Sequence, residues 1–189
     1  MFGVNELLNR PATYEQLVEW SASLGSDVTF FFSLGTAYCT GRGEIIKNID
    51  PPFPRGTKVY IVKPKDIGLS TPKVFEALEY DKLSSLDPQT MLQKFCDEGG
   101  VVVAEDEYHV NDLESPAYRL LPQLQDLRNE LKNVEGFTHV CMSGSGTSIF
   151  CIGIPKDLIE FENNFVRRPS LQVFSTEFIS RPNNWTWWN

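Results

Sequence analysis

The order of elements in the sequence predicts an α+β fold with helices on one face of an antiparallel sheet. From Lys58 onward, apolar runs of strand length alternate with helical patterns, in the order strand, helices, two strands, helix and strand. Two of the helices start at residue pairs that favour initiation, Thr71-Pro72 and Asp87-Pro88. The chain has 189 residues, of which 41% are apolar, so it can form one domain, or one domain and part of another.

The first 25 residues predict two helices. Residues 1–9 place apolar side chains on one helical face, and a proline at position 11 ends the pattern. Thr13 and Gln16 have the spacing of a capping box, in which each side chain bonds the other residue's backbone N–H. An amphipathic helix is therefore expected over residues 14–24. It should end at Gly25, which can adopt a left-handed conformation.

Three strands and a domain boundary are expected next. Residues 28–33 form an apolar run centred on three phenylalanines, and residues 36–40 and 42–49 follow as two further strands. Glycines supply the turns between them, at Gly35, Gly41 and Gly43. The run DPPFP then begins at Asp50, and its three prolines cannot join a helix or a central strand. Residues 1–52 and 53–189 are therefore expected to be separate domains.

The second part of the chain is expected to supply most of the sheet. Its predicted strands lie at residues 58–63, 138–142, 148–153 and 171–179, with a further short strand within 99–107. Its predicted helices begin at Pro72 (apolar face Val74, Phe75 and Leu78) and Pro88 (buried stripe Met91, Leu92 and Phe95), and cover 114–133 and 155–165. Pro122 should interrupt the longest of them.

Composition and charge exclude several classes of function. The formal net charge of −8 argues against a nucleic-acid partner, because such proteins coat phosphates with a basic surface. No apolar run approaches the roughly 20 residues of a membrane helix. The four cysteines lack C-x-x-C spacing and there are only two histidines, so no metal site is expected. Cys141 and Cys151 lie in apolar strands, where a reduced, buried thiol is usual, which indicates a reducing compartment.

Two places in the chain could carry chemistry. Asp27 stands at the turn between a helix and a very apolar run, and it is either a satisfied helix-exit residue or a catalytic base. The turn SGSGT at residues 143–147 joins two strands. Its glycines could let several backbone amides face a phosphate, although a tight β-turn that binds nothing has the same composition.

Five stretches resemble one known family. They are LGSDVTFFFSLGTAYCTGRGE at 24–44, STPKVFEAL at 70–78, VNDLESPAY at 110–118, MSGSGTSIF at 142–150 and FISRP at 178–182. Together they are similar to the 4-diphosphocytidyl-2-C-methyl-D-erythritol kinases, a branch of the galactokinase, homoserine kinase, mevalonate kinase and phosphomevalonate kinase (GHMP) superfamily. The resemblance implies the GHMP fold, with residues 1–52 the remainder of the ATP-binding lobe and 53–189 a ferredoxin-like C-terminal domain.

The resemblance also implies a reaction and its residues. The reaction is ATP-dependent phosphorylation of the 2-hydroxyl of 4-diphosphocytidyl-2-C-methyl-D-erythritol, with Mg²⁺, in isoprenoid synthesis. Asp27 would accept the hydroxyl proton. The substrate side would comprise Gly25, Ser26, Thr71, Phe75, Ser143, Gly144, Ser145 and Gly146, and Phe75 would stack on the cytosine unless it is a core residue.

Other matched residues are expected to have structural roles. Arg42 and Arg181 are read as surface cations, while Asn111 and Asp112 should cap the following helix. Thr29 stands where the family usually has proline, which puts the geometry of the Asp27 turn in question.

The family's glycine-rich ATP loop does not occur in the sequence, and residues 1–8 resemble the later turns of the helix that follows it. The chain is therefore expected to be an N-terminally truncated, inactive fragment. The segment GTAYCTGRGE resembles plant and algal members, which indicates a plastid; otherwise the protein would be cytoplasmic. Two alternatives remain open, namely another GHMP small-molecule kinase and a non-catalytic, metabolite-binding paralogue. The tail WTWWN has no counterpart in the family and is expected to pack back or to mark a contact.

Overall fold

A computed structural model describes residues 1–97 and 110–179 of the chain. These residues form two compact units, Met1–Pro51 together with Ile179, and Pro52–Phe178. The strand predicted within 99–107, Arg181 and the WTWWN tail lie outside the described residues.

The first unit contains two helices and a β-hairpin. Its helices are α1 (Phe2–Leu7) and α2 (Tyr14–Leu24), and its strands β1 (Ala37–Thr40) and β2 (Ile45–Asn48) pair in an antiparallel hairpin. The predicted capping box of α2 is confirmed. The backbone N–H of Gln16 donates to Thr13 Oγ1 at 3.3 Å, and the N–H of Thr13 donates to Gln16 Oε1 at 2.9 Å.

The apolar run at 28–33 is not the predicted strand. Thr29–Phe32 is a 3₁₀ helix, closed by a hydrogen bond from the N–H of Ser33 to the carbonyl of Phe30 at 2.8 Å. A short apolar run cannot be assigned to a strand or a helix by its periodicity alone. Here the polar Thr29 is fully buried, whereas the side chain of Phe31 is 58% exposed, which reverses the burial expected from hydropathy.

Gly25 ends α2 as predicted, but for a different reason. Its backbone is extended, with φ 170°, and so it does not use the left-handed conformation that favours glycine. Any residue could adopt this backbone conformation.

The second unit is built on a four-stranded sheet. Its strands are β3 (Lys58–Pro64), β4 (Phe137–Met142), β5 (Ile149–Gly153) and β6 (Leu171–Glu177). Their order is β4-β5-β3-β6, and all three neighbouring pairs are antiparallel. The helices are α3 (Thr71–Glu76), α4 (Pro88–Asp97), α5 (Glu114–Leu120), α6 (Pro122–Lys132) and α7 (Leu158–Phe161), with a 3₁₀ turn at Tyr80–Lys82 and a π turn at Glu162–Val166. The predicted α+β class is confirmed.

One face of the sheet carries the main core. Pro122 breaks the long helical pattern into α5 and α6, as predicted. The core consists of Val62, Val74, Ala117, Leu124, Leu127, Leu131, Met142, Ile149, Cys151, Phe161, Phe165 and Leu171. It joins α3, α5, α6 and α7 to the sheet.

The prediction that helices cover only one face is incomplete. Side chains alternate across β4, so His139 and Cys141 face away from the main core. On that second face the ring of Phe95, from α4, lies 6.3 Å from His139 and 5.3 Å from Phe53, measured between ring centroids. The apolar runs in β3 and β5 are those of strands buried on both faces. Met91, Leu92 and Phe95 are half-buried there.

All four cysteines are free thiols. Cys141 and Cys151 are buried as predicted, Cys96 is half-buried and Cys39 is exposed. Burial raises the pKa of the Cys151 thiol to about 12. Among the residues described, no helix has the length and apolar character needed to cross a membrane.

The far end of the β4–β5 hairpin requires two glycines, and substitution there should destabilise the chain. Gly153 has φ +122°, and a Cβ on it would overlap the carbonyl oxygen of Gly136. Gly153→Ala should therefore lower the free energy of unfolding by at least about 1–3 kcal/mol, measured by urea denaturation. Gly68→Ala is the matched control, because a Cβ there meets nothing within 4 Å and the change should stay within about 0.5 kcal/mol. Equal effects of the two substitutions would contradict the close approach.

Candidate active site

Asp27 lies in a tight turn between α2 and the 3₁₀ helix. The turn is closed by a hydrogen bond from the N–H of Val28 to the carbonyl of Gly25 at 3.1 Å, and Gly25 and Ser26 precede the acid in it. The side chain of Asp27 is exposed. An exposed carboxylate on a turn between rigid elements is available to a bound molecule.

The β1–β2 hairpin lies against the carboxylate of Asp27. A methyl group on Gly43, in the hairpin turn, would be 3.5 Å from Asp27 Oδ1 and 3.4 Å from the carbonyl oxygen of Ser26. Burial, and after it the negative charge of Asp27, raises the pKa of the Cys39 thiol in β1. The carboxylate of Asp27 is therefore close enough to Cys39 for its charge to affect the pKa of the thiol. Sequence reasoning missed this neighbour, because nothing in the spacing of residues 27 and 39 signals a contact.

Arg42 does not act as a partner of Asp27. Its Nε lies 4.0 Å from Glu44 Oε1, and its backbone N–H donates to Glu44 Oε2 at 2.6 Å. This agrees with its interpretation as a surface cation.

Thr29 anchors the Asp27 turn to α2. Its hydroxyl shares a hydrogen bond of 2.9 Å with the hydroxyl of Ser21, and both residues are fully buried. Ser21 in turn donates to the carbonyl of Val18 at 2.6 Å. A proline at position 29 would fix the backbone torsion without any partner, whereas threonine holds the turn through this buried contact.

The turn at 143–147 uses part of its own backbone to close. The N–H of Ser143 donates to the carbonyl of Ser148 at 2.8 Å, and the N–H of Gly146 donates to the carbonyl of Ser143 at 3.0 Å. Those two amides are not available to a phosphate. Ser143 and Gly144 are exposed, whereas Ser145 and Gly146 are half-buried.

Asn111 has a different role from the predicted helix cap. Its Nδ2 donates to the carbonyl of Met142 at 2.9 Å and to that of Gly144 at 2.8 Å, so it contacts the glycine-rich turn. Its Oδ1 accepts a local hydrogen bond from the N–H of Leu113 at 3.1 Å, but the N-cap of α5 is Leu113, without a side-chain cap. Glu114 Oε1 accepts from the N–H of Met142 at 2.8 Å. The local pattern NDLE favoured a cap and did not indicate this longer-range contact.

Asp112, the other predicted cap, instead accepts from the N–H of Ser84 at 2.9 Å. It thereby ties the start of α5 to the segment after α3 and not to the glycine-rich turn.

Helix α3 also contacts the glycine-rich turn at residues 143–147. Thr71 is its first helical residue and Ser70 its N-cap, one position earlier than predicted. The hydroxyl of Thr71 lies 2.8 Å from that of Ser145. Phe75, one helical turn further on, is 49% exposed, whereas Val74 is fully buried. Phe75 is therefore not a core residue.

The sequence-predicted residues thus form two groups. Gly25, Ser26 and Asp27 share one turn of the first unit. Thr71 and the glycine-rich turn are in direct contact in the second unit, through Ser145. Within residues 1–97 and 110–179, no three His, Cys, Asp or Glu side chains are grouped so that they could hold a metal ion.

Comparison with a protein-family model finds the C-terminal domain of the GHMP kinases over residues 102–168. This range includes α5, α6, β4, the glycine-rich turn and β5.

Curated relatives match most of the chain. The chloroplastic 4-diphosphocytidyl-2-C-methyl-D-erythritol kinase of Arabidopsis thaliana is 39% identical over 157 residues, which are 82% of this chain and 40% of the relative. The enzymes of the same name from Protochlamydia amoebophila and Bacillus subtilis are 36% and 34% identical over 93% and 96% of this chain. The chain spans 57% and 61% of their lengths.

Solved structures share the fold. A crystal structure of 4-(cytidine 5'-diphospho)-2C-methyl-D-erythritol kinase aligns with a TM-score of 0.69 at 24% identity, over 93% of this chain and 60% of that one. Homoserine kinase from Cytophaga hutchinsonii aligns with a TM-score of 0.60 at 15% identity, over 94% and 62%. Sequence relatives, domain match and fold agree: the chain contains the C-terminal domain of the GHMP kinases and is similar over most of its length to 4-diphosphocytidyl-2-C-methyl-D-erythritol kinases, of which it spans about two fifths to three fifths.

Proposed function

We propose that this chain provides the catalytic acid and the substrate-binding part of a kinase that phosphorylates the 2-hydroxyl of 4-diphosphocytidyl-2-C-methyl-D-erythritol. The observation that carries the proposal is Asp27, an exposed carboxylate on an anchored turn, in a chain whose curated relatives are named for this activity. Residues 1–52 would belong to the catalytic lobe and 53–189 would form the C-terminal domain.

Asp27 would act on the attacking alcohol. The 2-hydroxyl oxygen forms a bond to the γ-phosphorus of ATP, the bond from that phosphorus to the β,γ-bridging oxygen breaks, and ADP leaves. The hydroxyl proton passes to the carboxylate of Asp27. Phosphoryl transfer requires from the protein chiefly positioning and charge stabilisation. One well-placed acid is therefore sufficient to orient the attacking hydroxyl.

The second unit would bind the substrate. Phe75 offers an exposed ring for the cytosine, and the hydroxyls of Thr71 and Ser145 meet beside the glycine-rich turn. Donors of this kind suit the diphosphate of the substrate. Gly25 and Ser26 would add contacts next to the acid.

Binding of ATP and Mg²⁺ would require groups other than the acid and the substrate-binding residues named above. The family's glycine-rich ATP loop does not occur in the 189 residues. Mg²⁺ is commonly bound by substrate phosphates, waters and one or two carboxylates, which is compatible with described residues that contain no three-ligand cluster. We therefore expect the 189 residues alone to bind substrate without turnover.

The cellular compartment of this protein would depend on the organism that it comes from. The relatives from Arabidopsis thaliana, Mentha piperita and Oryza sativa are named as chloroplastic. In a plant or alga we propose that this protein acts in the plastid.

The test of activity uses a chimeric protein, in which the part of the Bacillus subtilis relative that lies N-terminal to the matched region precedes this chain, because the family resemblance implies an ATP loop there. The chimera should phosphorylate 4-diphosphocytidyl-2-C-methyl-D-erythritol, and Asp27→Asn should lower kcat by about 10²–10⁴-fold, because general-base assistance is lost. Product formation is measured by coupled ADP release. Homoserine and mevalonate serve as competing substrates.

Two results would reject this function. One is preferential turnover of homoserine or mevalonate, which would identify another kinase of the superfamily. The other is undiminished turnover by the Asp27→Asn chimera. Substrate binding by a chimera that shows no turnover at all would favour a non-catalytic, metabolite-binding role.

A second prediction examines the surroundings of Asp27 without any turnover. Because the charge of Asp27 helps to raise the pKa of Cys39, Asp27→Asn should lower that pKa and speed alkylation of Cys39 at pH 8. The rate is followed by mass spectrometry of the Cys39 peptide in the native 189-residue chain. Glu19→Gln removes a carboxylate of α2 as a control and should leave the rate unchanged. An unaltered rate in Asp27→Asn would contradict the proximity of the two groups.

The third prediction concerns Phe75. Phe75→Ala should weaken binding of cytidine 5'-diphosphate by roughly ten-fold, since base stacking contributes about 1–3 kcal/mol. Calorimetric titration of the 189-residue chain measures the affinity. Tyr80→Ala is the control, because this side chain is also exposed, at 74%, but lies outside α3. Similar losses in the two variants would argue against stacking on Phe75.

A further inference from the structure

The side chain of Asn111 holds the glycine-rich turn at residues 143–147 but has no role of its own in the proposed phosphoryl transfer. Asn111 precedes α5 in the sequence, yet its Nδ2 reaches two carbonyls, those of Met142 and Gly144, at 2.9 and 2.8 Å. One side-chain amide thus spans the end of β4 and the tip of the turn.

This contact determines which way one peptide group points. In a trans peptide, the C=O and the following N–H point in opposite directions. The carbonyl of Gly144 is directed at Asn111, so the N–H of Ser145 is directed away from it. Within residues 1–97 and 110–179 that N–H has no hydrogen-bond partner.

Packing does not hold this peptide in place. Gly144 has φ +55°, and a Cβ built on it would meet nothing within 4 Å. A glycine in open space can rotate its flanking peptides at little steric cost. The turn is closed by the bond from the Gly146 N–H to the Ser143 carbonyl, and the Ser145 hydroxyl contacts Thr71. The bond from Asn111 to the Gly144 carbonyl adds a restraint that acts directly on the peptide carrying the Ser145 N–H.

We propose that Asn111 is a positioning residue, which aims the backbone N–H of Ser145 at a phosphate group of the ligand. The inference rests on the proposed function only in taking that phosphate to belong to the substrate. The structural alternative is that Asn111 serves the local turn, through the bond from the N–H of Leu113 to its Oδ1 at 3.1 Å.

Two substitutions separate these roles. Asn111→Ser keeps a neutral acceptor that can serve the local turn, but it is too short to donate to both carbonyls. Asn111→Asp keeps the Oδ1 acceptor and the shape, and it removes the donor. Asp112→Asn is the matched control, because Asp112 accepts from Ser84 and does not touch the glycine-rich turn.

The experiment is ¹⁵N-resolved NMR of the 189-residue chain, titrated with inorganic pyrophosphate. In the wild type, the side-chain amide protons of Asn111 should exchange slowly with solvent, and the Ser145 amide resonance should shift with added pyrophosphate. In Asn111→Ser the free-state resonances of Gly144 and Ser145 should move or broaden, while that of Leu113 stays. The dissociation constant for pyrophosphate should rise by about ten-fold or more, as expected for a lost bond to a charged group.

Three results would overturn the inference, and a fourth would separate it from the proposed function. Fast exchange of the Asn111 amide protons in the wild type overturns the inference, even if the variants fail to fold. A Ser145 amide resonance that does not shift with added pyrophosphate would also overturn it. So would an Asn111→Ser variant whose dissociation constant for pyrophosphate equals that of the wild type. An inactive chimera together with a responsive Ser145 amide would instead reject the proposed function and leave the role of Asn111 standing.

Discussion

The organisation of the second unit depends on a sheet that must be covered on both faces. Strand β5 is apolar along its whole length and β3 is apolar from Val59 to Val62, so neither face of the sheet can be left to solvent there. Helices α3, α5 and α6 cover one face, and α4 with Phe53 covers the other. This double burial makes the unit a rigid support for the turn between β4 and β5.

The substrate-side groups follow from that arrangement. Because α3 and α5 pack on the same face, the first residue of α3 and the residues before α5 arrive at the same end of β4. Thr71 then meets Ser145, and Asn111 meets Gly144. The candidate site is thus a product of helix packing, and its polar groups come from three separate segments.

Much of the fold could be predicted, and the failures have physical causes. The capping box placed the start of α2, Gly25 marked its end, and Pro122 marked the break between α5 and α6, because all three signals are local. The run at 28–33 was wrongly assigned to a strand, since a few apolar residues do not distinguish a strand from a helical turn. Helix α4 was predicted, but its position on the second face was missed, although the strands buried on both faces carried the signal.

The candidate site was predictable only where its signal is local. Family resemblance pointed to Asp27 and to the glycine-rich turn, whose assigned roles stay predictions. The side chains that hold them, Thr29, Ser21 and Asn111, act across 8 to 33 residues of sequence. No spacing rule relates positions so far apart, and short side chains that bond distant backbone look like ordinary helix caps.

Thr29, two residues after the acid, has a consequence for which positions of this protein can vary independently. A proline restricts its own backbone and places no demand on the rest of the fold. Here the stiffness of the turn comes instead from a tertiary contact, and it therefore depends equally on Ser21 in α2. Positions 21 and 29 are coupled, so neither can drift in evolution without a compensating change at the other.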